Sequence, residues 1–246
     1  MYKNVLIISD NIEQCAQFEN IIDKLNRPEV NWTFAMSPFT NKQIFIERLK
    51  RNVLVVDLKD ENIIEQIILK YDLIFSIHCK QIFPETLVNK VKCINVHPGY
   101  NPINRGWYPQ VFAIINNLPI GATIHEIDKD LDHGDIIERA FVPKEISDTS
   151  ETLYNKVINA EINLIQNNIE KILNNAYKTI SPENEGNIFL KKDFNKLCEL
   201  DLNEKMSTLE FINKLRALTH GNYKNAYFID SETGKKVFVS IDLKKE

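Results

Sequence analysis

Glycine is scarce in this chain, seven residues in 246. None stands where the first apolar run, VLIIS at 5–9, gives way to the helical spacing of residues 11–26. A dinucleotide phosphate needs glycine at that turn so that backbone can approach it closely, which argues against a nicotinamide-dependent dehydrogenase. Cysteine is equally sparse. Cys15, Cys79, Cys93 and Cys198 are scattered with no CxxC pair, so a zinc knuckle or redox pair is excluded and buried free thiols are expected. No apolar run approaches the roughly 20 residues of a membrane span, and Asp10 interrupts the opening MYKNVLIISDN too early for a signal-peptide core. The expectation is a soluble, cytoplasmic protein with no membrane partner. Neither charge is in surplus: 30 Lys and Arg face 34 Asp and Glu, a net −4. A protein that grips a long polyanion shows a basic excess, so nucleic acid is not an expected partner. A small charged ligand needs only a few local cations.

What is present is alternation. The β-branched run at 5–9 is followed by helical spacing through Cys15, Phe18, Ile21, Ile22 and Leu25. Strand-like 30–36, helical 41–51, VLVVD (53–57), helical 61–70 and LIFSIH (73–78) come next, then CINVH (93–97). Strand alternating with helix predicts an α/β, Rossmann-like fold with a mostly parallel sheet covered on both faces. GATIHEID (121–128) and IIERAFV (136–142) extend or edge that sheet. Residues 149–176 predict a long amphipathic helix, with Asp148 as its cap and Glu151 three positions on. SPENEG (181–186) reads as a linker. It divides a catalytic domain at 1–180 from a C-terminal subdomain at 181–246, in which STLE (207–210) opens a helix and SETG turns a hairpin. A lone hairpin is marginal in water, so this one is expected to pack on the main domain or on a second copy of the chain.

Four of the seven glycines (Gly99, Gly106, Gly121, Gly134) and four of the nine prolines (Pro98, Pro102, Pro109, Pro119) fall between 98 and 134. Tight turns gather at the carboxyl ends of strands, where open α/β sheets bind ligands. Within CINVHPG, Asn95 and His97 stand two apart on a strand and so share a face, about 6.6 Å apart. A carboxamide N–H can stabilise an oxyanion, and an imidazole can take a proton from an attacking nucleophile. A carboxylate would orient the imidazole. LDHGD (131–135) offers Asp132 and Asp135, and Asp135, just before an apolar strand, is the choice. Spacing alone leaves open a purely structural His97 and a mere turn role for Asp135.

The motifs NVHPG (95–99), NRG (104–106) and LDHGD (131–135), taken in order, resemble the folate-dependent formyltransferases, whose catalytic set is Asn, His and Asp. HCKQIFP (78–84) and LRAL…YKNAYF (215–228) narrow the resemblance to sugar N-formyltransferases acting on dTDP-linked amino sugars. The match runs through most of the chain. It implies that the formyl group of 10-formyltetrahydrofolate passes to the free amine of the sugar, leaving tetrahydrofolate, with Asn95, His97 and Asp135 catalytic. It implies folate binding by His78, Lys80, Gln81 and Ile82 and by the Asp132 and Gly134 loop, although Lys80 also reads as a solvated loop lysine. A thymine ring needs an aromatic platform and a pyrophosphate needs cations or N–H donors. The implied substrate residues are Trp107, Tyr108, Tyr223 and Tyr227, with Arg105, Arg216 and Lys224, then Asp10 and Asn11 after the first strand, and Asn159 on the long helix. The implied substrate is dTDP-4-amino-4,6-dideoxyglucose, a precursor of surface polysaccharide (O-antigen), with the 3-amino sugars as near alternatives. A homodimer through the C-terminal hairpin is also expected. Three other readings remain. A metal-dependent hydrolase could use His97, His125, His133 and Asp135, but there is no HExxH pair and Asn95 is a poor ligand, so no metal is expected. A non-catalytic nucleotide-sugar binding module is the second. An initiator-tRNA formyltransferase is the third; it carries a larger nucleic-acid-binding C-terminal domain than the short helix and hairpin seen here.

Overall fold

The computed structural model describes residues 1–245. Strand and helix alternate at first: β1 (Asn4–Ser9), α1 (Ile12–Leu25), β2 (Asn31–Met36), α2 (Lys42–Arg48), β3 (Val53–Val55), α3 (Glu61–Lys70), β4 (Leu73–Ile77), α4 (Glu85–Val88) and β5 (Lys92–His97). Then follow β6 (Arg105–Gly106), α5 (Pro109–Ile115), β7 (Gly121–Glu126), β8 (Ile136–Phe141) and α6 (Ser150–Leu173). The chain ends with β9 (Ile188–Phe189), α7 (Lys191–Cys198), α8 (Thr208–Leu218), β10 (Tyr227–Ile229) and β11 (Lys236–Phe238).

Seven strands form one sheet in the order β3-β2-β1-β4-β5-β7-β8. β1 to β5 are mutually parallel, whereas β7 runs antiparallel to β5 with Asn95 opposite His125 and His97 opposite Thr123. Val5 to Ile8 are fully buried, as expected for a parallel strand covered on both faces. The α/β expectation is met. Side-chain caps start the helices where Asn and Asp precede them: Asn11 accepts from the Gln14 N–H (3.2 Å), and Asp60 from that of Asn62 (2.9 Å). Ser207 and Glu210 form the expected capping box. At α6 the expected cap shifts by one residue. Thr149 exchanges hydrogen bonds with Thr152, while buried Asp148 holds Lys156 and the Thr152 hydroxyl. Two helices escape the periodicity. α5 is a nearly unbroken apolar run, and α7 is mostly polar.

The chain forms two compact units, and neither is continuous. The first comprises residues 1–97, 123–140 and 161–183; the second comprises 98–122, 141–160 and 184–246. The expected sequential boundary at 180/181 therefore corresponds only to the last crossing. In the second unit, residues after β5 find partners far along the chain. Phe112 stacks on Phe189 (3.9 Å, 3°), Tyr108 packs on Phe194 (4.1 Å), and β6 pairs with β9. α5 packs against α8. A segment follows the core that buries its aromatic rings, whatever its place in sequence. Among the described residues no helix is long and apolar enough to cross a membrane.

Candidate active site

In the first unit, β5 ends with Asn95 and His97 on one face, and both meet a carboxylate from the β7–β8 loop. That carboxylate belongs to Asp132. Its Oδ1 accepts an N–H from Asn95 Nδ2 at 2.9 Å, and its Oδ2 lies 3.5 Å from His97 Nδ1. Asp132 adopts a left-handed backbone (φ 49°), which Asp tolerates better than most residues. Asp135, expected to orient His97, instead accepts from the hydroxyls of Ser181 (2.6 Å) and Thr179 (3.5 Å). The expectation is corrected: two residues of turn separate the two acids, and only Asp132 turns back to β5. Gly134 lies where a Cβ would come within 2.0 Å of the Glu126 carbonyl oxygen. It lets the loop that was expected to meet the cofactor lie flat on β7. His97 is 5% exposed, so its exchange with Asp132 takes place largely away from water. His125 sits opposite Asn95, with Nε2 at 3.2 Å from Asn95 Nδ2. Nothing in the strand pattern distinguished this histidine from a core residue.

The parallel register brings His78 alongside His97, because Ile77 pairs with Val96. The loop after β4 thus lies at the same carboxyl-end rim. His78 is held by Glu161 of α6, its Nε2 at 2.9 and 3.1 Å from the two carboxylate oxygens. Glu161 is 1% exposed. Its signal was available: it lies among Val157, Leu164 and Ile165, so a carboxylate on that apolar stripe had to have a partner. Gln81, expected to bind folate, has its carboxamide occupied by backbone, accepting from Leu58 N (2.8 Å) and donating to Val56 O (2.9 Å). Lys80 and Ile82 remain exposed on the loop, Ile82 at 79%. Asp10, expected to contact the sugar, has both oxygens engaged within the fold, accepting from Ser37 N, Ser37 Oγ, Thr40 Oγ1 and Lys80 N. Asn11 caps α1. Burial raises the thiols of Cys15, Cys79 and Cys93 to about 12, which leaves them inert as nucleophiles.

In the second unit, Arg216 is buried, and its guanidinium donates to the carbonyl oxygens of Glu145 (3.0 Å) and Asp148 (2.7 Å) and to Asn213. It staples the segment that leads into α6. Tyr227 is also occupied, with its hydroxyl donating to Glu199 (3.0 Å) and its ring beneath Lys236. Tyr108 lies against Phe194. Arg105 is mostly buried, with Glu185 3.6 Å away. Of the remaining expected substrate residues, Trp107 is half-buried beside Lys191, Tyr223 is 74% exposed, Lys224 lies over Phe238, and Asn159 is exposed on α6.

Residues 50–169 match the formyl transferase family, and residues 193–245 match the N-formyltransferase dimerization C-terminal domain. Over 183 residues the chain is 48% identical to a dTDP-4-amino-4,6-dideoxyglucose formyltransferase of Mycobacterium bovis, covering 74% of this chain and 78% of that one. It superposes on the crystal structure of a 4-N formyltransferase from Francisella tularensis with a TM-score of 0.93, at 43% identity over 99% of both chains. A sugar N-formyltransferase from a Shewanella species superposes with a TM-score of 0.92, at 34% identity over 99% of both.

Proposed function

This chain belongs to the sugar N-formyltransferase family, and on that premise we propose that it transfers a formyl group from 10-formyltetrahydrofolate to the amine of a dTDP-linked amino-dideoxy sugar. The observation that carries the reading is the Asp132 carboxylate standing between Asn95 and His97. The sugar is dTDP-4-amino-4,6-dideoxyglucose. Support for the 4-amino position comes from the 48% identical relative of that name and from the 4-N formyltransferase at 43%. The reaction takes place in the cytoplasm and serves surface polysaccharide (O-antigen) synthesis, and the enzyme works as a homodimer, a reading supported by the match to the dimerization domain.

The loop after β4 fits a folate, because exposed Ile82 offers an apolar face and Lys80 a cation for glutamyl carboxylates. When bound, 10-formyltetrahydrofolate supplies a formyl carbon already activated on an amine that leaves as tetrahydrofolate. His97 has Nδ1 turned to Asp132, so Nε2 is the nitrogen that takes the proton from the attacking sugar amine and returns it to the departing one. Ionised Asp132 supports the imidazolium in between. Asn95 donates to the formyl oxygen as negative charge builds on it. Its N–H toward His125 is the longer of its two bonds and is the one most easily shared. A preorganised donor of this kind is worth about 3–4 kcal/mol. In the second unit Trp107 and Tyr223 are the rings left for a thymine, with Lys224 for a phosphate.

Incubating the purified protein with 10-formyltetrahydrofolate and the dTDP-4-amino sugar should release tetrahydrofolate and give the N-formyl sugar. A folded His97→Asn variant should lose at least about 100-fold in kcat. Near-normal turnover by that variant, or no transfer by the parent protein to any dTDP-amino sugar, would refute the proposal.

A further inference from the structure

His125 is 1% exposed and lies on β7 directly opposite Asn95. Its hydrogen bonds run in one direction only. Nδ1 lies 2.7 Å from the Glu126 carbonyl oxygen, which can only accept, so Nδ1 carries the proton. Nε2 lies 3.2 Å from Asn95 Nδ2. The same nitrogen, Asn95 Nδ2, lies 2.9 Å from Asp132 Oδ1, which is itself 3.7 Å from His125 Nε2. Rotating the carboxamide by half a turn would set its oxygen against that carboxylate oxygen and against the lone pair of a neutral Nε2. Both contacts would be repulsive. The contacts along Glu126 carbonyl, His125, Asn95 and Asp132 are all satisfied when Asn95 turns its N–H groups toward Asp132 and His125 and the His125 ring carries its proton on Nδ1.

We infer that His125 is a positioning residue for the transfer: anchored to the Glu126 carbonyl, it keeps the nitrogen of the Asn95 carboxamide turned toward Asp132, so that the N–H it shares over the longer bond to Nε2 is the one that meets the formyl oxygen. The inference rests on the formyl-transfer reading of this site. Without the Nε2 acceptor, Asp132 alone opposes rotation of the planar carboxamide, and the flipped orientation with oxygen in place of N–H becomes easier to reach. An oxyanion donor that must first reorient contributes less than one already aimed.

His125→Asn keeps a donor near Nδ1 for Glu126 but removes the acceptor opposite Asn95, whereas His125→Gln keeps an acceptor at about the reach of Nε2. With 10-formyltetrahydrofolate and dTDP-4-amino-4,6-dideoxyglucose, His125→Asn should lower kcat about 10- to 100-fold with little change in either KM. His125→Gln should recover most of that loss. On an Asn95→Ala background, His125→Asn should cost nothing more, because its effect passes through the missing amide. The ring ¹⁵N resonances of the unsubstituted protein, which need no variant to fold, should show protonated Nδ1 and bare Nε2. An undiminished extra loss in the double variant, or a ring protonated at Nε2, would overturn the positioning role. So would full activity of His125→Asn beside a crippled Asn95→Ala, with formyl transfer itself left standing. If Asn95→Ala alone turned over normally, the assignment of the site would fall, and this inference with it.

Discussion

One carboxylate serves two partners at the end of β5, with Asn95 on one oxygen of Asp132 and His97 near the other. Asp135, three residues on, has its oxygens on Ser181 and Thr179. Replacing Asp132 by Asn should therefore lower kcat at least about 100-fold, because an amide can neither support an imidazolium nor accept from both neighbours with the same charge. Asp135→Asn should stay within a few-fold in activity and lose only about 1 kcal/mol in stability, the usual net worth of such hydrogen bonds. Measuring kcat and the denaturant midpoint of both variants checks the pair; equal losses in kcat would contradict the assignment. Asn95 and His97 were legible as a pair because strand periodicity puts them on one face. The acid was not. Two aspartates in LDHGD are chemically equal until the left-handed turn at Asp132 aims one of them at β5, and that turn is set by how the loop lies on β7.

Elements bring these residues together through register. β4 and β5 run parallel, so the loop carrying His78, Lys80 and Ile82 starts beside His97. β7 runs antiparallel to β5, which sets His125 across from Asn95. The β7–β8 loop returns tightly over β7 only because residue 134 has no side chain: a Cβ there would meet the Glu126 carbonyl oxygen at 2.0 Å. That oxygen also accepts from His125 Nδ1. Gly134→Ala should therefore destabilise the protein by about 1–3 kcal/mol through overpacking and lower kcat by displacing Asp132 and the His125 anchor together. Thermal unfolding and steady-state rates test this, and an unchanged Tm would show that the loop has room to relax. The seven strands of the main sheet, the hairpin and most helices were legible from apolar periodicity and from Asn, Asp and Ser caps, whereas the two-residue strands β6 and β9 were not. α5 and α7 were not, since one is apolar on nearly every side and the other has too few apolar residues for a stripe.

At the scale of the molecule, the segment that matches a dimerization domain carries apolar side chains in the open: Leu202, Leu209, Phe211, Val237 and Phe238 are all exposed in one chain. Analytical ultracentrifugation should find a dimer whose population depends on concentration. Phe211→Asp should weaken it about 10-fold or more, as removal of a central aromatic anchor does. A sharp monomer at all concentrations for the unsubstituted protein would contradict this. The division into two interleaved units was not legible either. The first unit ends at residue 183, and residues 98–122 belong with the C-terminal segment because Phe189, Phe194 and Ile188 provide what they pack or pair with, as 141–160 do through Arg216 on the Glu145 and Asp148 carbonyls.

Sequence alone determined the alternation of strand and helix, the parallel sheet, and an amide and an imidazole at the end of one strand. Each of these follows from local periodicity and side-chain chemistry. Which aspartate joins them, which histidine fixes the amide, and which polar residues are committed to backbone (Gln81, Asp10, Arg216) were decided only by the tertiary structure. These choices depend on loop path and strand register, and neighbours across a sheet come from distant positions that no local pattern records.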